Sequence, residues 1–193
     1  VYIIGRGHRP DMFNLKYHKS LPLLKRGDIF EVRERMNADG KVLEKIDFQF
    51  LASVLNDIKK KGFEVVAVSL LHSYINPDHE LKVRNYFHDH FNSIPIVLSH
   101  EVAPEWREYE RTSTTVISAY ITPIVKDYLH RLSKELLNKY LKVPVHITQS
   151  NGGSMSSSQA SEQAVQTLFS GPVGGVVGGK EVGRLINQSN MIC

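Results

Sequence analysis

The chain has 193 residues, of which 41% are hydrophobic and 23% charged, as in an ordinary globular protein. Its formal net charge is only +4 and its basic residues are scattered, so we expect no nucleic-acid partner. No stretch approaches the ~20 apolar residues that a membrane-spanning helix needs, so we expect no membrane span. The single cysteine, Cys193, excludes a disulfide framework within the chain and is typical of a cytoplasmic protein.

The first half of the chain carries local signals for a hairpin and a helix. Residues 30–36 alternate apolar and polar side chains, which predicts a half-buried strand, and Asp39-Gly40 is a hairpin signal that follows it. The next helix has Asp47 as its N-cap and Gly62 at its end. Its predicted buried face consists of Leu51, Val54, Leu55 and Ile58.

The middle of the chain alternates strands with helices. Residues 64–71 are a continuous apolar run, which predicts a strand buried on both faces. A helix follows with Asn76 as N-cap and Pro77 in its first turn, and residues 94–99 predict a second strand. A long helix is predicted over 105–141, with a kink or break at Pro123.

Residues 143–149 predict another buried strand, and 154–161 a short polar loop or the start of a helix. This alternation predicts an α/β fold with a mostly parallel sheet flanked by helices. Ligands bind such sheets beyond the carboxyl ends of the strands. Here those ends are 71–73, 99–101 and 150–153.

Two glycine-rich segments each have two interpretations. "SNGG" at 150–153 is either an ordinary strand-to-helix turn or a turn in which Asn151 contacts a ligand. "SGPVGGVVGG" at 170–179 either presents backbone N–H groups to a phosphate or makes a smooth helix face for close packing. Packing is favoured for this second segment, because the chain lacks a G-x-x-x-x-G-K-[ST] phosphate loop.

Several polar residues also have a structural and a functional interpretation. His72 follows a strand and is either a general base or a histidine bonded to nearby backbone. The segment "REYERTSTT" at 107–115 has two interpretations. The preferred one is a solvated first helical turn in which Glu108 and Arg111 pair, and the other is a polar cluster that faces a cleft. His79 and Glu80 are expected to serve only the helix end, and no metal site is predicted.

Four long motifs together resemble the hydantoinase A / 5-oxoprolinase family. They are "LLHSYINPDHE" (70–80), "LSHEVAPEWREYERTSTTVISAYITP" (98–123), "QSNGGSMS" (149–156) and "SGPVGGVVGG". "IGRGHRPDMFNL" (4–15) and "RMNADGKVL" (35–43) resemble the family's upstream segment. The chain starts without Met and stops at "NMIC", so we interpret it as an internal fragment of a longer member.

The resemblance implies an actin-like ATPase fold of the ribonuclease H-like type, which binds ATP and Mg²⁺ between two lobes. The family's two D-x-G-G-T phosphate loops are missing from this chain, and "NMIC" resembles the strand that leads into the second loop. The fragment alone is therefore expected to be inactive and not to bind nucleotide tightly. Residues 1–97 would be the later part of the N-terminal region, and 98–193 the start of the hydantoinase A domain.

The implied activity of the full-length parent is ATP-dependent hydrolysis of a cyclic amide whose carbonyl is activated by phosphorylation. Alternatives are a subunit of an acetone/acetophenone-type carboxylase, which would take a ketone substrate, and a non-catalytic actin-like scaffold. A B-type partner subunit and an oligomeric parent are expected. By the resemblance, His72 and Asn151 are the candidate catalytic residues. The candidate nucleotide-binding residues are Gly152, Gly153, Ser170, Gly171, Gly174 and Gly175.

Overall fold

The computed structural model describes residues 13–16, 18, 21–91, 94–139, 143–188 and 190. The chain divides into two compact units, unit 1 (Val1–Ala119) and unit 2 (Tyr120–Cys193). Residues 191–193 of the "NMIC" prediction and most of the "IGRGHRPDMFNL" segment lie outside the described residues. The elements are β1 Arg35–Met36, β2 Val42–Glu44, α1 Phe48–Lys61, β3 Val66–Val68, α2 Asp78–His90, β4 Ile96–Leu98, α3 Ser99–Val102, α4 Glu108–Asn138, β5 His146–Thr148, β6 Ser154–Ser156, α5 Ser157–Glu162 and α6 Ser170–Leu185, with 3₁₀ turns at Arg26–Asp28 and Ala164–Thr167.

The predicted hairpin is present, although its strands are short. β1 and β2 pair antiparallel. Gly40 in the turn has φ +76°, a left-handed conformation that suits glycine, and the Asn37 side chain accepts the backbone N–H groups of Asp39 and Lys41. The strand predicted over 30–36 is limited to its last two residues, Arg35 and Met36.

Helix α1 forms as its sequence predicts. The Asp47 carboxylate accepts the Phe50 N–H at 2.9 Å, and Gly62 ends the helix in the left-handed conformation at φ +67°. The buried face is the predicted one: Leu51, Val54, Leu55 and Ile58. This face packs into the core of unit 1 together with Val68, Val83, Phe87 and Leu98.

Strands β3 and β4 form a parallel pair, with Val66 opposite Ile96 and Val68 opposite Leu98. Helix α2 lies between them in the chain, so the three elements make a βαβ unit. The helix begins at Asp78 with Pro77 at the N-cap position, one residue later than predicted, and the Asn76 side chain accepts the Asp78 N–H at 3.0 Å. The α/β class is therefore confirmed, and among the described residues β3–β4 is its one parallel pair.

Helix α4 is continuous across Pro123, so the predicted break is absent. A proline removes one helical N–H, and the helix tolerates this loss here without ending. The predicted apolar face is only partly buried: Leu129 lies in the core of unit 2, whereas Tyr120 and Ile124 are mostly exposed.

Strand β5 differs from its prediction. It pairs antiparallel with β6, Ile147 opposite Met155, and its residues alternate between exposed and half-buried. The predicted strand over 143–149 is therefore present at His146–Thr148, but its predicted burial was wrong. The segment at 154–161 does begin a helix, since Ser156 and Gln159 form a capping box for α5, but the preceding strand β6 was not predicted.

Within the described residues, no helix is both long enough and apolar enough to cross a membrane.

Candidate functional site

The turn after β3 contains the most strained residue among the predicted site residues. His72 has φ +59°, a conformation that side-chain-bearing residues rarely adopt outside special sites. Its carbonyl accepts the N–H groups of Ile75 and Asn76, at 3.0 and 3.2 Å, which holds the turn closed. Its Nδ1 is buried and has no hydrogen-bond partner among the residues that the structure describes. An unsatisfied buried nitrogen in strained backbone marks a candidate site.

A completely buried carboxylate, that of Glu80 in the first turn of α2, lies next to this turn. Its Oε1 accepts the Leu70 N–H at 2.9 Å and the Ser99 hydroxyl at 2.6 Å. Its Oε2 accepts the backbone N–H of His100 at 3.1 Å and the His100 Nδ1–H at 2.8 Å. Four donors thus satisfy one carboxylate, which ties α2 to the carboxyl ends of both β3 and β4.

A buried positive charge, that of Arg111 from the start of α4, is linked to Glu80 through the Ser99 hydroxyl. The Arg111 side chain is nearly fully buried, with 2% relative exposure. Nε donates to the Ser99 hydroxyl at 3.2 Å, Nη1 to the Glu105 carbonyl at 2.9 Å and Nη2 to the Leu70 carbonyl at 2.9 Å. The guanidinium fork therefore joins three chain segments that are distant in sequence.

The Ser99 hydroxyl links the two charges. Its hydrogen is donated to Glu80, so its oxygen accepts from Arg111 and, at 3.0 Å, from the Ser73 hydroxyl, which must be the donor of that pair. Leu70 is held on both sides, its N–H by Glu80 and its carbonyl by Arg111. This cluster fixes the chain two residues before His72.

Sequence reasoning missed this cluster. Glu80 and His79 were expected only to serve the helix end, yet both are buried, and His79 Nδ1 lies 2.5 Å from Glu34 Oε2. The preferred interpretation of residues 107–115 as a solvated turn was wrong for Arg111, which bonds to Ser99 rather than to Glu108. The available signal was that Glu80 and Arg111 both lie inside the family-like motifs.

In unit 2, the "SNGG" segment is a closed turn. Gly152 has φ +87°, which glycine alone adopts easily, and its N–H donates to the Gln149 carbonyl at 3.0 Å. The Asn151 side-chain oxygen accepts the Gly153 N–H at 2.8 Å. Asn151 is exposed, so its amide NH₂ group is the part of the side chain that faces outward for a ligand.

The second glycine segment forms the start of α6 and packs against the first. A Cβ atom on Gly152 would lie 3.0 Å from Val177 Cγ2, and one on Gly174 would lie 3.7 Å from Thr148 Cγ2. The structure therefore brings the two glycine motifs together within unit 2. These two glycines allow elements to approach closely, as the packing interpretation predicts.

The remaining predicted glycines behave differently from one another. A Cβ on Gly171 or Gly175 would meet no atom of the described residues within 4 Å, so both leave space beside α6. Ser170 begins the helix next to them. A Cβ on Gly153 would lie 2.9 Å from Gln149 Oε1, which reflects local turn packing. Packing was also expected at Gly178, and this was wrong, because that position faces open space.

Among the described residues there is no group of three or more histidine, cysteine, aspartate or glutamate side chains that could hold a metal ion. The glycine turns with open space beside them are compatible with a nucleotide, but these residues do not supply a set of ligands for Mg²⁺.

Two family models match the chain. The model described as the hydantoinase/oxoprolinase N-terminal region matches residues 1–91, and the one described as hydantoinase/oxoprolinase matches residues 111–193. His72 and Glu80 lie in the first match and Arg111 and the two glycine segments in the second, whereas Ser99 and His100 lie between the two matches.

Curated relatives extend over most of the chain. An uncharacterized protein of Methanocaldococcus jannaschii is 38% identical over 100% of this chain, and the acetophenone carboxylase gamma subunit of Aromatoleum aromaticum is 30% identical over 91%. The 5-oxoprolinase of Saccharomyces cerevisiae is 29% identical over 91%. The chain spans only 28%, 24% and 15% of the lengths of these three proteins.

Two solved structures resemble the chain. A nucleotide-free acetone carboxylase structure, whose study concerns ATP-dependent acetone carboxylation, superposes with a TM-score of 0.81 at 26% identity, over 89% of this chain and 24% of that one. The ATP-dependent caprolactamase of Pseudomonas jessenii superposes with a TM-score of 0.80 at 27% identity, over 96% of this chain and 27% of that one.

Proposed function

Because the chain belongs to the hydantoinase/oxoprolinase family, we propose that the protein that carries it is an ATP-dependent hydrolase that opens a cyclic amide. One observation carries this proposal: relatives named for cyclic-amide hydrolysis match both by sequence and by structure. The 5-oxoprolinase matches 91% of the chain, and the caprolactamase structure matches 96%. Since the chain spans only 15% and 27% of these two proteins, the proposed activity is that of the whole protein.

The proposed chemistry activates a stable amide before water attacks it. Transfer of a phosphoryl group from ATP to the carbonyl oxygen makes the carbonyl carbon electrophilic, and water then adds to that carbon. The protein's contribution to such a reaction is mainly positioning and charge stabilisation. Mg²⁺ is expected to accompany ATP. Its protein ligands would come from outside the described residues, which contain no cluster of side chains that could hold a metal ion.

We propose that His72, in unit 1, contacts the substrate. Three observations support the assignment: its place beyond the carboxyl end of β3, its left-handed backbone and its buried Nδ1 without a partner among the described residues. In the whole protein, His72→Ala is expected to reduce turnover strongly. Full turnover in that variant would remove His72 from the site.

We assign the nucleotide to the α6 side of unit 2. Gly171 and Gly175 leave room beside the backbone, and the Ser170 end of α6 has the N–H groups and the dipole direction that favour an anion. The amide of Asn151 and the turn residue Gly153 are the other candidates. Gly152 and Gly174 are assigned an indirect role, since they pack the turn against the helix.

A carboxylase subunit is the second candidate. It is favoured by the acetophenone carboxylase relative at 30% identity and by the acetone carboxylase structure at a TM-score of 0.81. Several relatives are named as subunits, including the caprolactamase subunit alpha of Pseudomonas jessenii, which supports the proposal of a partner subunit. The boundary predicted between residues 97 and 98 and the cytoplasmic location stay predictions.

The deciding experiment uses the purified whole protein with its partner subunit. ATP is supplied with 5-oxoproline, hydantoin or caprolactam, and ring-opened product is measured by mass spectrometry alongside ADP release. Ring opening that requires ATP supports the hydrolase. Parallel reactions contain a ketone and bicarbonate, and carboxylated product there with no ring opening would establish the second candidate instead. Neither product, with the protein folded, would overturn both.

A further inference from the structure

A second histidine lies at the same sheet edge as His72. His100 follows β4, two residues after the strand ends at Leu98, and the carboxyl ends of the parallel strands β3 and β4 share one edge. The Ser73–Ser99 hydrogen bond of 3.0 Å joins the two segments beside these histidines. We propose that His100 is the catalytic base that activates water in the proposed reaction, and that Glu80 is its positioning residue. This inference rests on the proposed function.

The hydrogen bonds of His100 define which ring nitrogen is available. Its Nδ1 lies 2.8 Å from Glu80 Oε2, and its own backbone N–H donates to that same oxygen at 3.1 Å. A carboxylate only accepts, so the hydrogen is on Nδ1, and in the neutral ring Nε2 then carries the lone pair. Two bonds from one residue to one oxygen also hold the ring in a fixed orientation.

Of these two side chains, only that of His100 is partly accessible. Glu80 is fully buried, whereas the His100 side chain is 14% exposed. The nearest charged neighbour on α3 is Glu101, whose Oε1 lies 3.9 Å from Nε2, too far for a hydrogen bond. The Glu101 Oε1 atom instead accepts a hydrogen bond from Arg84 Nη1 at 2.6 Å. A buried carboxylate, an imidazole that it orients and a lone pair on Nε2 form the arrangement that hydrolases use for general-base catalysis.

In the proposed step, His100 removes a proton from the attacking water. One O–H bond of a water molecule breaks, and its proton goes to Nε2. The water oxygen forms a bond to the carbonyl carbon of the amide that ATP has phosphorylated, and the electron pair of the carbon–nitrogen double bond moves to the ring nitrogen. The resulting imidazolium is stabilised by Glu80, which keeps its negative charge and takes no proton.

The test is His100→Asn in the whole protein, assayed with ATP and the cyclic amide that the wild type opens. Asparagine keeps an N–H donor close to the position of Nδ1 but lacks Nε2, so a merely structural role would survive the change. We expect kcat to fall about 100-fold or more with KM little changed. The control is His88→Asn, at a site with 68% side-chain exposure on α2, which is expected to keep wild-type kcat. Wild-type kcat in His100→Asn would overturn the proposal.

An NMR measurement on the 193-residue chain tests the positioning part without any substrate. Long-range ¹H–¹⁵N correlations are expected to show hydrogen on Nδ1 and none on Nε2 of neutral His100. Glu80→Gln should shift this tautomer balance and leave the His88 ring unchanged. Hydrogen on Nε2 in the wild type would overturn the proposal. If the wild-type whole protein opens no ring, the proposed function and the base role both fail, whereas ring opening by His100→Asn refutes the base role alone.

Discussion

Replacing Arg111 with methionine is the sharpest test of the buried cluster in unit 1. The substitution keeps a long apolar side chain but removes the three hydrogen bonds to Ser99, Leu70 and Glu105. It also removes the buried positive charge that is linked through the Ser99 hydroxyl to the carboxylate of Glu80, which has no exposed surface. The variant should therefore be much less stable than a loss of packing alone would make it.

Leaving a buried acceptor without its donor costs about 1–3 kcal/mol, so the loss of three such bonds should cost about 3–5 kcal/mol, towards the lower end of that range. For a urea m-value of about 2 kcal/mol/M, this loss lowers the unfolding midpoint by about 1.5–2.5 M. Such a loss is a large part of the ~5–15 kcal/mol that stabilises a typical domain.

Arg131 provides a matched control on the same helix. It pairs with Asp127 one turn away at 3.0 Å, and its side chain is 67% exposed. Surface pairs of this kind contribute about 0.3–0.5 kcal/mol, so Arg131→Met should leave the midpoint almost unchanged. Arg111→Lys keeps the charge but loses the planar fork, and its midpoint should fall between those of the wild type and Arg111→Met.

The assay is urea unfolding of the 193-residue chain, followed by the fluorescence of Trp106. This is the only tryptophan and it lies in unit 1, five residues before Arg111, so the signal reports on the unit that holds the cluster. If Arg111→Met unfolds at the same urea concentration as Arg131→Met, the argument from buried hydrogen bonds is wrong. If Arg111→Met is unfolded without urea, Arg111→Lys still provides the measurable comparison.

Three further predictions concern unit 2 and the nucleotide. Gly152→Ala should destabilise the chain by about 1–3 kcal/mol, since φ is +87° and the new Cβ would lie 3.0 Å from Val177, whereas Gly178→Ala should stabilise it by about 0.5–1 kcal/mol, because that helical position faces open space. Thermal unfolding measures both variants, and a lower melting temperature for Gly178→Ala than for Gly152→Ala would contradict the packing described. Calorimetry with ATP should detect no micromolar binding to the chain, which contains no D-x-G-G-T loop, and a micromolar Kd would refute this. Hydrogen bonds from Arg184 hold the pKa of Glu181 below its usual value, so the stabilisation from this pair is present above the unfolded-state pKa and is lost as the pH falls through the folded-state pKa. A carboxyl ¹³C titration should show the pKa of Glu181 rising in Arg184→Met, and an unchanged pKa would exclude Arg184 as the cause.

The sequence by itself determined the elements whose signals are local. The apolar spacing of α1, its Asp47 cap and its Gly62 end predicted the helix and its buried face, and all three are present. The Asp39-Gly40 hairpin and the parallel strands β3 and β4 followed from equally local patterns. Such signals act within a few residues, so the chain needs no distant partner to express them.

Only the tertiary structure decided which charged and glycine residues matter to the candidate site. A glutamate in a first helical turn is usually solvated, and Glu80 is buried because Leu70, Ser99 and His100 supply four donors from other segments. The antiparallel partner of β5 and the different surroundings of Gly152 and Gly171 likewise depend on what lies opposite in space. Burial and hydrogen bonding are properties of pairs of groups, and the sequence around one member of a pair does not reveal the other.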